Sequence, residues 1–406
     1  MSESEKRPPV LCPPDQCTAC MACEQTCPTA AISMQMNERG YSLPHIDPSK
    51  CINCNACERV CPIINERVVP QEKPTVLACW HKDDNVRMVS SSGGAFSALA
   101  AITLSHGGYV WGAAYNEDMQ VVYTYTDTEE VLNKLRRSKY VQCHVGDAFK
   151  KIKAQLTEGK EVLFCGTSCH VRGLLSFIPK TLKSGLTTVD FICHGVPAPG
   201  VFKTYIDWIE RRYNDKVNEF NFRDKTYGVD NGVMSSAILK NKGKIKLIDK
   251  ENSYMYGMLH NTFLRPCCLD CKSNGFLRES DFTIADFWGL GRKIPFTAEN
   301  PREKGISLMA LNSVKAKELY KNKLLHINLN IEERTLQEAL EGNGPYVKSA
   351  KAAANSETFW KEYQTAKSWD DVLHFFKPTL SEQAKQFVKV HFGPIIADKL
   401  RKLLGR

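Results

Sequence analysis

Cysteine carries the chemistry of this sequence, with 17 in a chain of 406 residues. One stretch reads Cys17-Thr-Ala-Cys20-Met-Ala-Cys23-Glu-Gln-Thr-Cys27-Pro28. It repeats as Cys51-Ile-Asn-Cys54-Asn-Ala-Cys57-Glu-Arg-Val-Cys61-Pro62. Each half is a C-x2-C-x2-C-x3-C-P run, the spacing that holds a pair of [4Fe-4S] clusters. Three close thiolates reach three irons of one cubane, and the fourth, a helical turn further on, points to the other. Cys17, Cys20, Cys23 and Cys61 are therefore assigned to one cluster. Cys51, Cys54, Cys57 and Cys27 are assigned to the second. A zinc ribbon spaces its Cys pairs by roughly 15–20 residues and needs no proline after the last thiolate. A disulfide framework calls for a secreted chain. Neither fits.

Four further cysteines, Cys169, Cys193, Cys268 and Cys271, come from three separate places. A four-cysteine site takes zinc or an iron–sulfur cluster. Scattered buried thiols are the plainer reading. The company of two clusters favours a third [4Fe-4S], with Cys165 and Cys267 as rival ligands. Cys12 lies outside the repeat and reads as a bystander, and Cys79 as a small core residue.

Other residue types point to a second cofactor. Ser90-Ser91-Ser92-Gly93-Gly94 precedes the apolar run Ala95 to Leu104. Small residues let backbone approach a phosphate, and a helix N-terminus offers free N–H groups, so the diphosphate of FAD fits there. A serine-capped turn fits equally. Lys134, Arg136, Arg137 and Lys139 cluster before Tyr140-Val-Gln142. They read as a clamp for cofactor phosphate or an acidic substrate tail, or as a solvated helix face. Tyr140 suits either stacking on a flavin or core packing. His170 and His194 follow two of the cluster cysteines and are candidate proton donors, since imidazole titrates near neutrality. Arg223 and Lys225 are candidates to hold an anionic substrate group. For each of these four, a structural hydrogen bond or a surface charge is the plainer reading.

The elements that must position these groups follow from pattern. Val76–Trp80, Tyr109–Tyr115, Val121–Thr126, Glu161–Cys165, Leu186–Cys193 and Asp281–Ala285 read as strands. Ala95–Leu104, Val171–Phe177 and Val201–Tyr213 read as helices. Strands alternating with helices place functional groups beyond the strand ends. Residues 217 to 249 read as short strands separated by Gly228, Gly232 and Gly243. Beyond about residue 310 the chain reads as helical and charged, and Phe392 to Leu404 as a packed basic amphipathic helix, with membrane-surface docking as the other reading. The expected fold class is α+β, in three parts: a ferredoxin-like two-cluster domain (1–70), a mixed α/β flavin-binding core (74–310) and a helical C-terminal region (311–406).

The chain is 43% hydrophobic and 24% charged, as globular proteins are, with a net charge of +9. The positive balance suits acidic partners such as ferredoxins, or an acidic cofactor tail. No stripe joins basic and aromatic residues, so a nucleic-acid partner is not expected. Met1–Pro9 has no apolar core of a signal peptide. The longest apolar run, Ala95–Leu104, falls well short of the ~20 residues of a spanning helix. A cytoplasmic protein without a transmembrane segment is expected, and the oligomeric state is left open.

As a set, several motifs resemble the coenzyme F420 hydrogenase/dehydrogenase beta-subunit family over roughly residues 74 to 320. They are Ser90–Gly94, Lys139-Tyr-Val-Gln142, Phe164-Cys-Gly-Thr-Ser-Cys-His170, Asp190-Phe-Ile-Cys-His-Gly-Val-Pro197, Asn221-Phe-Arg-Asp-Lys225, Arg265-Pro-Cys-Cys-Leu-Asp-Cys271 and Asp286-Phe-Trp-Gly289. The resemblance implies an FAD- and Fe–S-binding reductase core behind a fused ferredoxin domain. It puts Ser90 to Gly94, Lys139, Tyr140, Gln142 and Asp286 on the cofactor. Family members include deazaflavin oxidoreductase subunits and relatives that reduce chlorophyll-type tetrapyrroles. Ser168 and His170 stand where the family usually has Pro and Gln, Cys143 and Cys267 where it has Ser, and Ala285 where it often has Gly. These departures spare the proposed cluster thiols and bear on substrate identity. The expected path runs from a ferredoxin or partner subunit through two clusters, a third and FAD to an organic substrate or to coenzyme F420, or in reverse. A non-catalytic electron-transfer subunit of a larger redox complex is one competing reading. A zinc or thiol enzyme on Cys169-His170 or Cys193-His194, with an appended ferredoxin domain, is the other.

Overall fold

The computed structural model describes residues 7–65, 69–227, 234–296 and 304–377. The segment Phe392–Leu404 and the turn glycines Gly228 and Gly232 lie outside the described residues.

The sequence repeat at the N-terminus is also a backbone repeat. Ala19 and Met21 in the first half, and Asn53 and Asn55 in the second, all have φ between 49° and 57°. Non-glycine residues adopt that left-handed conformation at a cost, and it persists where surrounding structure demands it. Here it curls the chain so that successive cysteines face inward. Each curl runs into a five-residue helix, α1 (Ala22–Thr26) or α2 (Ala56–Val60). Between them lies a hairpin, β1 (Ile32–Met36) against β2 (Ser42–Ile46), paired from Ile32↔Ile46 to Met36↔Ser42. Helices this short do not stand alone in water; they rest on each other and on the next domain.

The core is built in order from β3 (Thr75–His81), α3 (Asp84–Met88), α4 (Ala95–Ser105), β4 (Tyr109–Tyr115), β5 (Val121–Thr126), α5 (Glu129–Leu135) and α6 (Ala148–Thr157). Then follow β6 (Val162–Thr167), α7 (Ser168–Phe177), β7 (Leu186–Phe191), α8 (Pro199–Tyr213) and β8 (Val217–Asn221). After these come β9 (Ser235–Leu239), β10 (Gly243–Leu247), α9 (Ser253–Leu259), the single turn α10 (Pro266–Leu269), β11 (Phe282–Asp286) and β12 (Ser307–Leu311). The C-terminal part adds α11 (Val314–Lys321), α12 (Leu325–Asn328), β13 (Leu329–Arg334), α13 (Leu336–Gly342) and α14 (Ser356–Tyr363).

One eight-stranded sheet runs in the order β13-β3-β12-β11-β7-β6-β4-β5. Its centre is parallel: β11 with β7, β7 with β6, and β6 with β4. β3 lies inside from residue 76 to 80, an unbroken buried apolar run as a strand covered on both faces requires. α4 is apolar on every side and packs Ala95, Ala98, Leu99 and Ala100 into the same interior. β8, β9 and β10 form a separate antiparallel sheet, held to α8 and α9 by Phe202, Tyr205, Phe220, Phe222 and Tyr254. One strand departs from the expected helical C-terminal region: β13 pairs antiparallel with β3, from Leu329↔His81 to Arg334↔Val76. Its Glu332 and Glu333 suit a sheet edge, where charge discourages further pairing, and they mask the strand in the sequence. Among the described residues, no helix is long and apolar enough to cross a membrane.

The cysteine-rich domain docks on the core through polar contacts. Arg265 donates Nε–H to the Cys17 carbonyl at 2.7 Å and an Nη2–H to that of Ser42 at 3.0 Å. Arg172 donates to the Pro62 carbonyl at 2.7 Å. The Tyr41 hydroxyl donates to the Phe263 carbonyl at 2.8 Å. Gly173 on α7 faces Cys20 so closely that an added Cβ would stand 2.7 Å from the Cys20 Cβ.

Candidate functional site

The parallel register does the placing. Thr167 pairs with Phe191, and Phe191 with Ile284. The residues that follow, Cys169, Cys193 and Asp286 to Trp288, therefore emerge side by side at one sheet edge, where open α/β sheets bind ligands. Asp190 ties these strand ends together. It accepts from Ser168 Oγ and Thr283 Oγ1, both at 2.6 Å, and pairs with the buried Arg278.

Beyond that edge lies a cavity of about 440 Å3, within the range of cofactor and ligand sites. Its thiol wall carries Cys169, Cys193, Cys268 and Cys271, and Cys267 as a fifth. Their charges act on one another, so they form one group. Cys165 lines the cavity too, but its charged neighbours are Asp190 and Lys139. Cys169 and His170 sit in the first turn of α7, and Cys267 and Cys268 in α10, rather than in loops or at strand tips. Burial pushes Cys193 up to about 12, which keeps that thiol protonated until a metal displaces the proton.

The same cavity is lined by Ser90, Ser91, Ser92, Gly94, Lys139, Tyr140, Gln142 and Asp286. The serine hydroxyls are already engaged. Ser90 Oγ donates to the Val86 carbonyl and Ser92 Oγ to that of Ile306, while Ser91 Oγ accepts from the Ser138 N–H. What this loop presents is the start of α4, whose N-cap Gly94 makes no side-chain cap. Gly93 does not line the cavity. A Cβ there would stand 2.5 Å from the Cys79 carbonyl, so its role is close packing. Lys139 is held by the carbonyls of Lys134 and Arg136 at 3.0 and 2.6 Å, and burial lowers its pKa to about 7. Gln142 is turned away from a cofactor role: its Oε1 accepts from Arg265 at 2.7 Å and its Nε2 donates to the Thr18 carbonyl.

The candidate acid–base and anion-holding residues separate. His194 donates Nε2–H to Asn261 Oδ1 at 2.6 Å. Asn261 Nδ2 donates to the Lys351 carbonyl, which fixes the amide orientation and leaves His194 Nδ1 without a partner among the described residues. His170 has both ring nitrogens engaged, with the Tyr123 hydroxyl at 3.1 Å and the Thr18 carbonyl at 3.3 Å. Burial lowers its pKa to about 4. Its expected role as a proton donor is corrected to that of a neutral brace between the domains. Arg223 pairs with Asp286, and its guanidinium lies 5.8 Å from the Trp288 ring centroid. Burial opposes its charge, but Asp286 and Tyr140 raise its pKa. Lys225 is corrected from a substrate contact to a support of the serine loop. Its Nζ is spent on the carbonyls of Arg87, Ser92 and Lys304, and it does not line the cavity.

The N-terminal thiols line two smaller cavities. Cys17, Cys20, Cys23 and Cys61 line one, which faces the core. Cys27, Cys51, Cys54 and Cys57 line the other. Cys57 borders both. Cys12, expected as a bystander, also lines the inner cavity, and its nearness lowers the pKa of Cys17 and Cys61. Sequence spacing carries no signal for it. The donor sets, all sulfur and gathered around small cavities, fit iron–sulfur clusters. Among the described residues, no three His, Cys, Asp or Glu converge at the spacing of a single metal ion. Arg172, Arg265, Arg278 and Trp288 carry no role in the sequence reading, although Arg265 directly precedes the last cysteine group.

Two family models match the chain. Residues 159–336 match the model for the C terminus of the coenzyme F420 hydrogenase/dehydrogenase beta subunit. Residues 16–63 match the model for a 4Fe-4S dicluster domain. Among solved structures, a chain of the F420-reducing [NiFe] hydrogenase complex from Methanosarcina barkeri is similar at 13% identity and a TM-score of 0.45. The match covers 75% of this chain and 97% of that one. No curated protein matches.

Proposed function

From a chain that fuses an N-terminal 4Fe-4S dicluster domain to a domain of the coenzyme F420 hydrogenase/dehydrogenase beta-subunit family, we propose an iron–sulfur flavoprotein oxidoreductase. It passes electrons between ferredoxin-type clusters and FAD and reduces or oxidises an organic substrate or coenzyme F420. When bound, the clusters exchange single electrons, and the flavin couples single electrons to hydride chemistry.

One observation carries this reading. Thiols from α7, the end of β7 and the α10 segment share a single cavity with the α4 N-terminus and Lys139, and the inner N-terminal thiols abut the same core. Cys169, Cys193, Cys268 and Cys271 hold the third cluster. The uncapped start of α4, with Lys139 and Arg136 beside it, receives the diphosphate. Tyr140 and Trp288 wall the space for flat rings, and the Arg223–Asp286 pair orients a polar substrate edge. His194, with Nδ1 unpartnered among the described residues and its tautomer fixed, accepts or returns a proton at that atom. The outer thiol group lies beside Ile52, which is 55% exposed, and this surface takes a small redox partner such as ferredoxin.

Anaerobic purification tests the reading. About twelve irons (three cubanes) and one releasable FAD are expected. F420H2, reduced ferredoxin and NADH, added separately, identify the donor by which one bleaches the flavin. Full iron loading without flavin rejects the proposal. Stoichiometric zinc with about eight irons favours the zinc reading. Flavin reduction without substrate turnover favours a pure electron-transfer subunit.

A further inference from the structure

Arg265 differs from the other buried arginines. Arg87, Arg172, Arg278 and Arg334 each pair with a carboxylate, respectively Asp84, Glu279, Asp190 and Glu338. Arg265 is 2% exposed, and among the described residues no carboxylate pairs with it. Its guanidinium donates to neutral oxygens, the carbonyls of Cys17 and Ser42 and the Gln142 amide, and lies 5.1 Å from the centroid of the Tyr41 ring. A buried charge without a counter-charge carries a large penalty. The negative charge within its reach is sulfur. On one side is Cys17 of the inner N-terminal group, whose carbonyl the guanidinium holds at 2.7 Å, and on the other is the third group, whose cavity Arg265 lines together with Cys267 and Cys268.

We propose that Arg265 is the shared counter-charge of the two clusters it separates and a positioning residue for the electron that passes between them. The inference rests on the proposed function, which places a cluster on each side. Thiolate-bound cubanes are net anionic, and reduction adds one electron and no proton. A fixed cation between them stabilises the reduced form of both. It also removes the need for a coupled proton in a water-poor interior, where charge interactions are strong. The outermost group, Cys27, Cys51, Cys54 and Cys57, lines a cavity that Arg265 does not reach and takes a smaller share of its field.

Mediated redox titration of the full-length anaerobic protein with dithionite, followed by electron paramagnetic resonance, tests this. Arg265→Met is expected to move the two flanking potentials negative by about 59 mV, a tenfold loss of electron affinity for a one-electron couple. Arg265→Lys keeps the charge and is expected to stay near the wild type. Gln142→Glu sets a carboxylate on the guanidinium and is expected to mimic Arg265→Met with the fold retained, so it decides the matter if the methionine variant fails to fold. The outermost potential serves as an internal control. Unmoved flanking potentials in Gln142→Glu, or equal shifts in the lysine and methionine variants, overturn the inference. A wild-type protein lacking the clusters overturns the proposed function instead, and this inference with it.

Discussion

The N-terminal thiols and the core thiols are gathered in opposite ways. Between Cys17 and Cys61, a repeat of left-handed residues and five-residue helices turns the cysteines inward over a short span. In the core, Cys169, Cys193, Cys268 and Cys271 meet only because β6, β7 and α10 are brought to one edge. A local cage is written in spacing. A non-local cage is written in register, and reports whether the whole sheet is formed.

The sharpest break of this comparison is Cys193→Ser. Iron is expected to fall from about twelve to about eight per chain and substrate turnover to be lost, with the N-terminal signals intact by electron paramagnetic resonance. If the N-terminal clusters vanish as well, the two cages are not independent and the contrast fails.

Next in size is the seam between them. Gly173→Val drives a side chain into Cys20, whose Sγ would stand 2.9 Å from the new Cβ. A loss of about 3 kcal/mol is expected, at the top of the range for overpacking, measured by urea unfolding. Release of the cysteine-rich domain to protease is the companion readout. A silent substitution would mean that the two domains do not pack as Gly173 and Cys20 indicate.

How much of this was legible follows the same division. The N-terminal repeat was readable as a pair of matching cysteine runs, because its spacing is contiguous in the chain, and seven of its eight thiols line only the cavity that spacing assigns, Cys57 lining both. The strands Tyr109–Tyr115 and Val121–Thr126 were readable to the residue from alternation. β13 was not, because an edge strand carrying Glu332, Glu333 and Arg334 has a helix-like composition. Cys12 and Gly173 were hidden for another reason: each matters through a partner that sequence distance does not reveal. Lys225 was misplaced because a lysine beside a motif arginine looks like a second anion holder. Burial turned its amine onto three carbonyls instead. Lys225→Met is expected to cost about 1.5–2 kcal/mol by thermal unfolding, with KM for the substrate unchanged. A raised KM with unchanged stability would restore the lysine to the site.

The smallest effect separates the thiols of the cavity from its cationic residues. Burial sets the Lys139 pKa at about 7, below its ordinary value near 10.5. Between those values the unfolded chain holds a proton that the folded one has released. From this group alone, flavin-free stability therefore rises as pH climbs from 7 towards 10.5. FAD affinity should run the other way. The ammonium that meets a diphosphate is present below pH 7 and is lost above it, so affinity is expected to fall by up to about tenfold per pH unit. Flavin-fluorescence titrations from about pH 6 to about pH 8.5 read this directly. Lys139→Met should flatten the dependence at the weak, high-pH value while leaving iron content untouched. An affinity that stays level across this range in the wild type would detach Lys139 from the diphosphate, and would leave the α4 N-terminus and Arg136 to hold it.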